Sequence, residues 1–165
     1  MAQYITFNGV APATAALAKV TTGTAIKTML QLAPPSTRAI TVVEWGISFD
    51  GSAAATPIVC ELVTTTTAAT VTAHIAAGVM PFDTNDTVVS QLTLGTTATG
   101  YTSISENTPG VSRLFDCQLV APSAGYVKQF PLGERPRALA GAFLRVRVTA
   151  AASVNAICYV VFDEG

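Results

Sequence analysis

Apolar residues recur at every second position in short runs along this chain, and proline, glycine and Asx residues interrupt the runs at close intervals. A period of two puts alternate side chains on opposite faces of a strand. The pattern therefore predicts strands over residues 3–7, 24–32, 39–49, 57–65, 70–75, 88–94, 113–120, 126–130, 143–149 and 154–162. Valine, isoleucine, threonine and aromatic residues fill these runs, and such side chains fit a pleated surface. Residues 11–20 are the best helical segment, but their apolar pattern is weak and Pro12 suits only a first turn. Pro34-Pro35 stops the second run, because proline lacks the amide hydrogen that a ladder needs. Asp50-Gly51 and Pro109-Gly110 are turn dipeptides. About ten short antiparallel strands in one domain predict an all-β fold, an antiparallel β-sandwich of jelly-roll form.

The last run carries the most information. Val154, Ala156, Cys158, Val160 and Phe162 share one face; Asn155, Ile157, Tyr159 and Val161 share the other. A sandwich strand with one wet face alternates apolar with polar, and this one is apolar on both. The second face needs a cover, either a loop or the N-terminal segment of the same chain, or a neighbouring subunit. Ile157, Tyr159 and Val161 together offer roughly a few hundred Å2, worth several kcal/mol at ~25 cal/mol per Å2 before the costs of association. They are candidate subunit-interface residues. In residues 39–49, Trp45, Ile47 and Phe49 share a face with Thr41 and Val43, which is assigned to the core. Residues 1–23 are weakly patterned and form an N-terminal arm ahead of a β-sandwich domain over 24–165. Residues 1–11 either extend onto a neighbour or fray. Residues 78–110 thin to PFDTND, LGTTATGY and SENTPG, a polar excursion of the length that is usually functional or disordered.

Composition narrows the functional classes. Only 12% of the residues are charged, against about 25% in an ordinary soluble domain, and the formal net charge is -1. No positive excess exists to hold phosphates, and aromatics at 7% make a poor stacking platform, so no nucleic-acid partner is expected. A surface so poor in charge has weak protection against self-association, a liability that permanent assembly removes. Cys60, Cys117 and Cys158 each lie in an apolar run without CxxC spacing. This predicts buried free thiols in a reducing compartment, not disulfides or zinc ligands. No apolar run reaches the ~20 residues of a membrane helix and no secretory pattern opens the chain. A soluble protein made in the cytoplasm, with no membrane partner, is the expectation.

Few residues could do chemistry. His74 stands alone and reads as a packed or rim histidine, with no G-x-S-x-G context to supply a nucleophile. Asp83, Asn85 and Asp86 lack the glycine and glutamate of a calcium loop and read as turn caps. Arg145 and Arg147 project from one face of a strand and have three readings. They pair across strands with Glu44 or Glu61, they bridge to a neighbouring subunit as interface residues, or they clamp a phosphate or sialic acid. Arg135 and Arg137 flank Pro136, either as a solvated loop or as a contact for an acidic partner. The residues predict a non-enzyme with no cofactor and no metal.

The strings VVEWGISFDGSAAATPIVCELV, TAHIAAGVMPF, LTLGTTATGYT, QFPLGERP and FLRVRVTAAASVNA resemble small virion structural proteins of tailed bacteriophages, the head decoration and minor capsid proteins. The resemblance spans about residues 39–165 and carries no catalytic signature. It implies a β-sandwich or jelly-roll unit on or between major capsid subunits, often a homotrimer. It also implies a place on the capsid surface of the virion, reached from the host cytoplasm during assembly, and attachment through a terminal arm at residues 1–11. Together with the double-faced strand, it leads to the expectation of a capsid decoration or cement protein. Its partners are then the major capsid protein and further copies of itself. The alternative is a tail or surface module that binds host glycans through residues 82–110, with Tyr101 stacking on the sugar. A cupin-type enzyme needs several histidines, and this chain has one.

Overall fold

The computed structural model describes residues 2–52, 54–108, 110 and 112–165. Its strands are β1 (Ala2–Phe7), β2 (Val20–Thr21), β3 (Lys27–Leu32), β4 (Ile40–Phe49), β5 (Ile58–Thr65), β6 (Thr70–Ala73) and β7 (Val79–Pro81). They continue with β8 (Gly100–Ser105), β9 (Arg113–Val120), β10 (Gly125–Gln129), β11 (Arg137–Ala138), β12 (Phe143–Thr149) and β13 (Asn155–Glu164). A 3-10 turn at Ala76–Gly78 is the one helical element among the described residues. The strands form two antiparallel sheets, one in the order β10-β4-β13-β1-β7 and the other β6-β8-β3-β12-β5-β9. Short β11 and β2 attach to β4 and β13. The inner faces share one apolar core, so the fold is an all-β antiparallel sandwich.

Each predicted run except 88–94 meets a strand. Residues 11–20 form no helix, and Pro34-Pro35 does follow the end of β3. Pro109, half of the predicted Pro109-Gly110 turn, lies outside the described residues, as does Met1. Asp50-Gly51 lies between β4 and β5, where the chain crosses from one sheet to the other. The N-terminal arm is also corrected. Ala2–Phe7 is a full member of its own sheet, registered from Ala2 opposite Glu164 to Phe7 opposite Tyr159 and flanked on its other side by β7. Asn8 extends the pairing through its side chain, accepting from the Cys158 amide at 2.9 Å and donating to the Ala156 carbonyl. Strand β1 alternates like any half-buried strand, and its shortness is what made it read as an arm.

The core assignment of β4 needs one change of phase. Val161 sits opposite Glu44, but Phe162 sits opposite Val42, so Val43 is an extra residue, a β-bulge. On one side of it Trp45, Ile47 and Phe49 face the core as expected; on the other, Ile40 and Val42 do so in place of Thr41. Trp45 is fully buried, and its indole NH donates to Asp116 at 3.1 Å, which also accepts from the Tyr126 hydroxyl at 2.8 Å. A buried indole needs such an acceptor, and Asp116 of β9 supplies it.

Between β5 and β9 the chain makes its long excursion, and most of it is tied down. Residues 88–94 form no strand but lie across one end of the sandwich. Tyr4 donates to the Val88 carbonyl, the Glu164 carboxylate accepts from the Ser90 hydroxyl and the Gln91 amide, and Leu92 enters the core. The stretch returns as β8, which pairs with β3 and β6. The far end is fixed by Arg145, which is fully buried. Its guanidinium donates to the carbonyls of Thr67 and Glu106 and lies 3.5 Å from the Glu106 carboxylate. Glu106 in turn accepts from the Thr28 amide and from the hydroxyls of Thr28 and Ser103. Burial pulls Arg145 below the ordinary guanidinium pKa, and the Glu106 charge opposes that shift. Removing one partner of a buried pair strands the other charge. Glu106→Ala is therefore expected to lower the unfolding free energy by about 3 kcal/mol, measured by urea denaturation. Arg147→Met, which breaks a pair nearer solvent, should cost about 1 kcal/mol.

Candidate interaction surface

The outer face of the β10-β4-β13-β1-β7 sheet is where the double-faced strand leads. Strand registers define its rows. Val127 of β10 lies opposite Gly46, which lies opposite Tyr159, which lies opposite Phe7. The next row runs Gln129, Glu44, Val161, Ile5 and Met80. Ile157 extends the face beside Ser48. Ile5, Phe7, Met80, Ile157 and Tyr159 are half-buried, and Val127 is 60% exposed on its edge strand.

The chain covers part of this face itself. Val161 retains only 4% of its exposure, so it is sealed within one subunit and is not a free interface residue. Tyr159 lies flat over Gly46, since a Cβ there would stand 2.6 Å from its ring. Phe7 packs against the same ring with centroids 5.6 Å apart. The Tyr159 hydroxyl donates to Glu44, and burial together with that carboxylate pushes its pKa up to about 12. Residues 9–18 fold back beside Phe7 and Met80, with Leu17 against Gly9, and enclose with them an apolar hollow of about 260 Å3. The result is a face on which the apolar side chains of Val127, Ile157, Tyr159, Phe7 and Met80 stay at least partly accessible, interrupted by Gln129, Glu44 and Ser48.

The arginines on the other sheet do different work. Arg147 pairs with Glu61 at 3.0 Å, the cross-strand reading. Arg145 reaches neither Glu44 nor Glu61, and its complete burial by its own chain removes it from any subunit interface. Its partner Glu106 lies in SENTPG. The one signal for it was a lone carboxylate in a polar loop, and sequence spacing did not connect that loop to β12. Glu44 serves Tyr159 instead of an arginine.

His74 is packed, as expected of a lone histidine. Its Nε2 lies 2.8 Å from the Phe7 carbonyl, which can only accept, so Nε2 carries the hydrogen. Its ring tilts onto Tyr101 at 4.8 Å between centroids. Asp83 and Asp86 accept from the amides two residues on, at Asn85 and Val88, as turn caps. No group of three metal-ligating side chains occurs among the described residues. Cys60 and Cys158 are buried thiols, but Cys117 is exposed, because it sits opposite Glu61 on the outer face of an edge strand.

Two outcomes are expected here. Burial lowers the His74 pKa from 6.5, with the Phe7 hydrogen bond partly offsetting it. The unfolded chain then takes up a proton near pH 6.5 while the folded one does not, so stability falls as pH drops below that value. His74→Gln should flatten this part of a melting-temperature profile against pH. Gly46→Ala should displace the Tyr159 ring and cost about 1–3 kcal/mol by urea denaturation.

Neither a family model, nor a curated protein, nor a solved structure matches the chain.

Proposed function

We propose that this chain is a non-enzymatic structural protein of a virion shell, a decoration or cement protein that self-associates and binds the major capsid lattice. The observation that carries the reading is the apolar outer face from Val127 through Tyr159 and Phe7 to Met80. A lone domain in water gains nothing by keeping these side chains accessible, and clustered apolar side chains on a surface mark association sites. The sequence resemblance to phage head decoration proteins points the same way.

Topology adds support. Without its insertions the sandwich reduces to β10-β4-β13-β1 facing β3-β12-β5-β9. Chain order then passes between the two blocks in the manner of two nested Greek keys, and we read the fold as a jelly roll. That architecture serves viral capsids and lectins alike, so the surface and not the fold has to decide between them. Tyr101, the aromatic available to a glycan site, is engaged with His74. Repeated by symmetry around a shell, modest apolar contacts add up through multivalency.

Sedimentation of the purified chain should give a closed oligomer, a trimer on this reading, which pelleted capsids capture. Val127→Asp combined with Tyr159→Ser should shift the sedimentation profile to monomer while leaving the circular dichroism spectrum unchanged. A parent chain that stays monomeric at tens of micromolar and ignores capsids would sink the proposal.

A further inference from the structure

A second surface lies on the opposite chemistry. Strand β9 is outermost in its sheet, and β11 pairs with β4 alone, so the two sheets present open edges on the same side of the sandwich. Between them runs a groove of about 560 Å3, lined among others by Arg113 and Phe115 of β9 and by Arg135, Arg137 and Leu139. We infer that this groove is a docking site for an extended, carboxylate-bearing peptide segment of a partner protein.

Three observations carry it. The first is charge. The chain holds nine lysines and arginines, and three of them line this one groove, whose lining includes no carboxylate. Arg135 gives one guanidinium nitrogen to Asp163 at 2.9 Å, but its buried Nε finds no acceptor among the described residues. Arg113 and Arg137 are exposed and make no ion pair among the described residues. Forked guanidinium groups suit carboxylates, which they bind through paired hydrogen bonds.

The second is the apolar lining. Leu139 is 64% exposed and Phe115 half-buried within the same groove. An inorganic anion would leave them wet, whereas a peptide that alternates acidic with apolar side chains would cover both kinds of surface. The third is the edge itself. One side of β9 pairs with β5, and its other side is free to pair with an added strand. Edge pairing gives an extended peptide its main-chain hydrogen bonds while side-chain pockets give it selectivity. A single-stranded nucleic acid would want a series of stacking rings, and the groove has one. The inference is independent of the shell reading, since it concerns different residues on another side of the molecule.

The test uses the intact chain and a fluorescein-labelled oligoglutamate peptide with one central leucine, followed by fluorescence anisotropy. Saturable binding is expected, weakened roughly tenfold or more by Arg113→Gln or Arg137→Gln and by replacing the glutamates with glutamines. Lys128→Ala, at an exposed lysine outside the groove, should change it less than about twofold. Both arginines are exposed, so an unchanged melting temperature is expected to accompany the loss. Absence of saturable binding, equal loss with Lys128→Ala, or tighter binding of oligo-dT than of the peptide would each overturn the proposal. The oligomer measured for the shell reading is unaffected by any of these results.

Discussion

Strand β13 is the constraint around which the molecule is arranged. It is apolar on both faces, and a strand of that kind has to lie in the middle of a sheet with cover above and below. The structure places it between β1 and β4, with Ala156, Cys158, Val160 and Phe162 in the core. Its partners β1, β2 and β4 all come from the first third of the chain, so its closing pairs are distant in sequence. Such pairing is slow to form and holds the fold together once made. The chain covers only part of its second face, and this separates the sealed Val161 from the half-buried Ile157 and Tyr159.

A second long-range device keeps the polar excursion in place. The excursion has few apolar side chains with which to anchor itself, and its composition alone reads as loose. Three polar side chains of the sheets, Gln31, Arg145 and Glu164, fix it, and Glu106 of the excursion itself answers Arg145 and Thr28. Gln31, fully buried, binds the backbone of Ala69 and Ala98, and the others act as described above. Each satisfies backbone groups that would otherwise be buried without partners, which is why charged residues appear inside strand patterns of valine and leucine.

Local patterning made most of the fold legible. Alternation located β3, β4, β5, β9, β12 and β13 because each buries one face against a common core. It failed at 88–94, where only Leu92 enters the core, Val88, Val89 and Leu94 stay exposed, and hydrogen bonds to Tyr4 and Glu164 hold the segment in place of a ladder. It also failed at Val43, since a bulge changes the phase without changing composition. Short strands such as β2, β7 and β11 have too few residues to show a period. At the surface, the double face of β13 was visible from residues 154–162 alone. Its extension across β10, β4 and β1 was not, because neighbours in a sheet are set by topology. The same reason hid Glu106 as the partner of Arg145, while Glu61 and Arg147 could be matched as charges within two strand patterns.

Cys117 shows how an edge position shapes reactivity. Its sulfur faces solvent beside Glu61 and Asp116, and partial desolvation with those two carboxylates raises its pKa above the usual thiol value. The nucleophilic form is the thiolate, so this exposed sulfur holds its proton at neutral pH and exchanges slowly with disulfides. A surface thiol restrained by its own electrostatics resists oxidative cross-linking when two molecules meet.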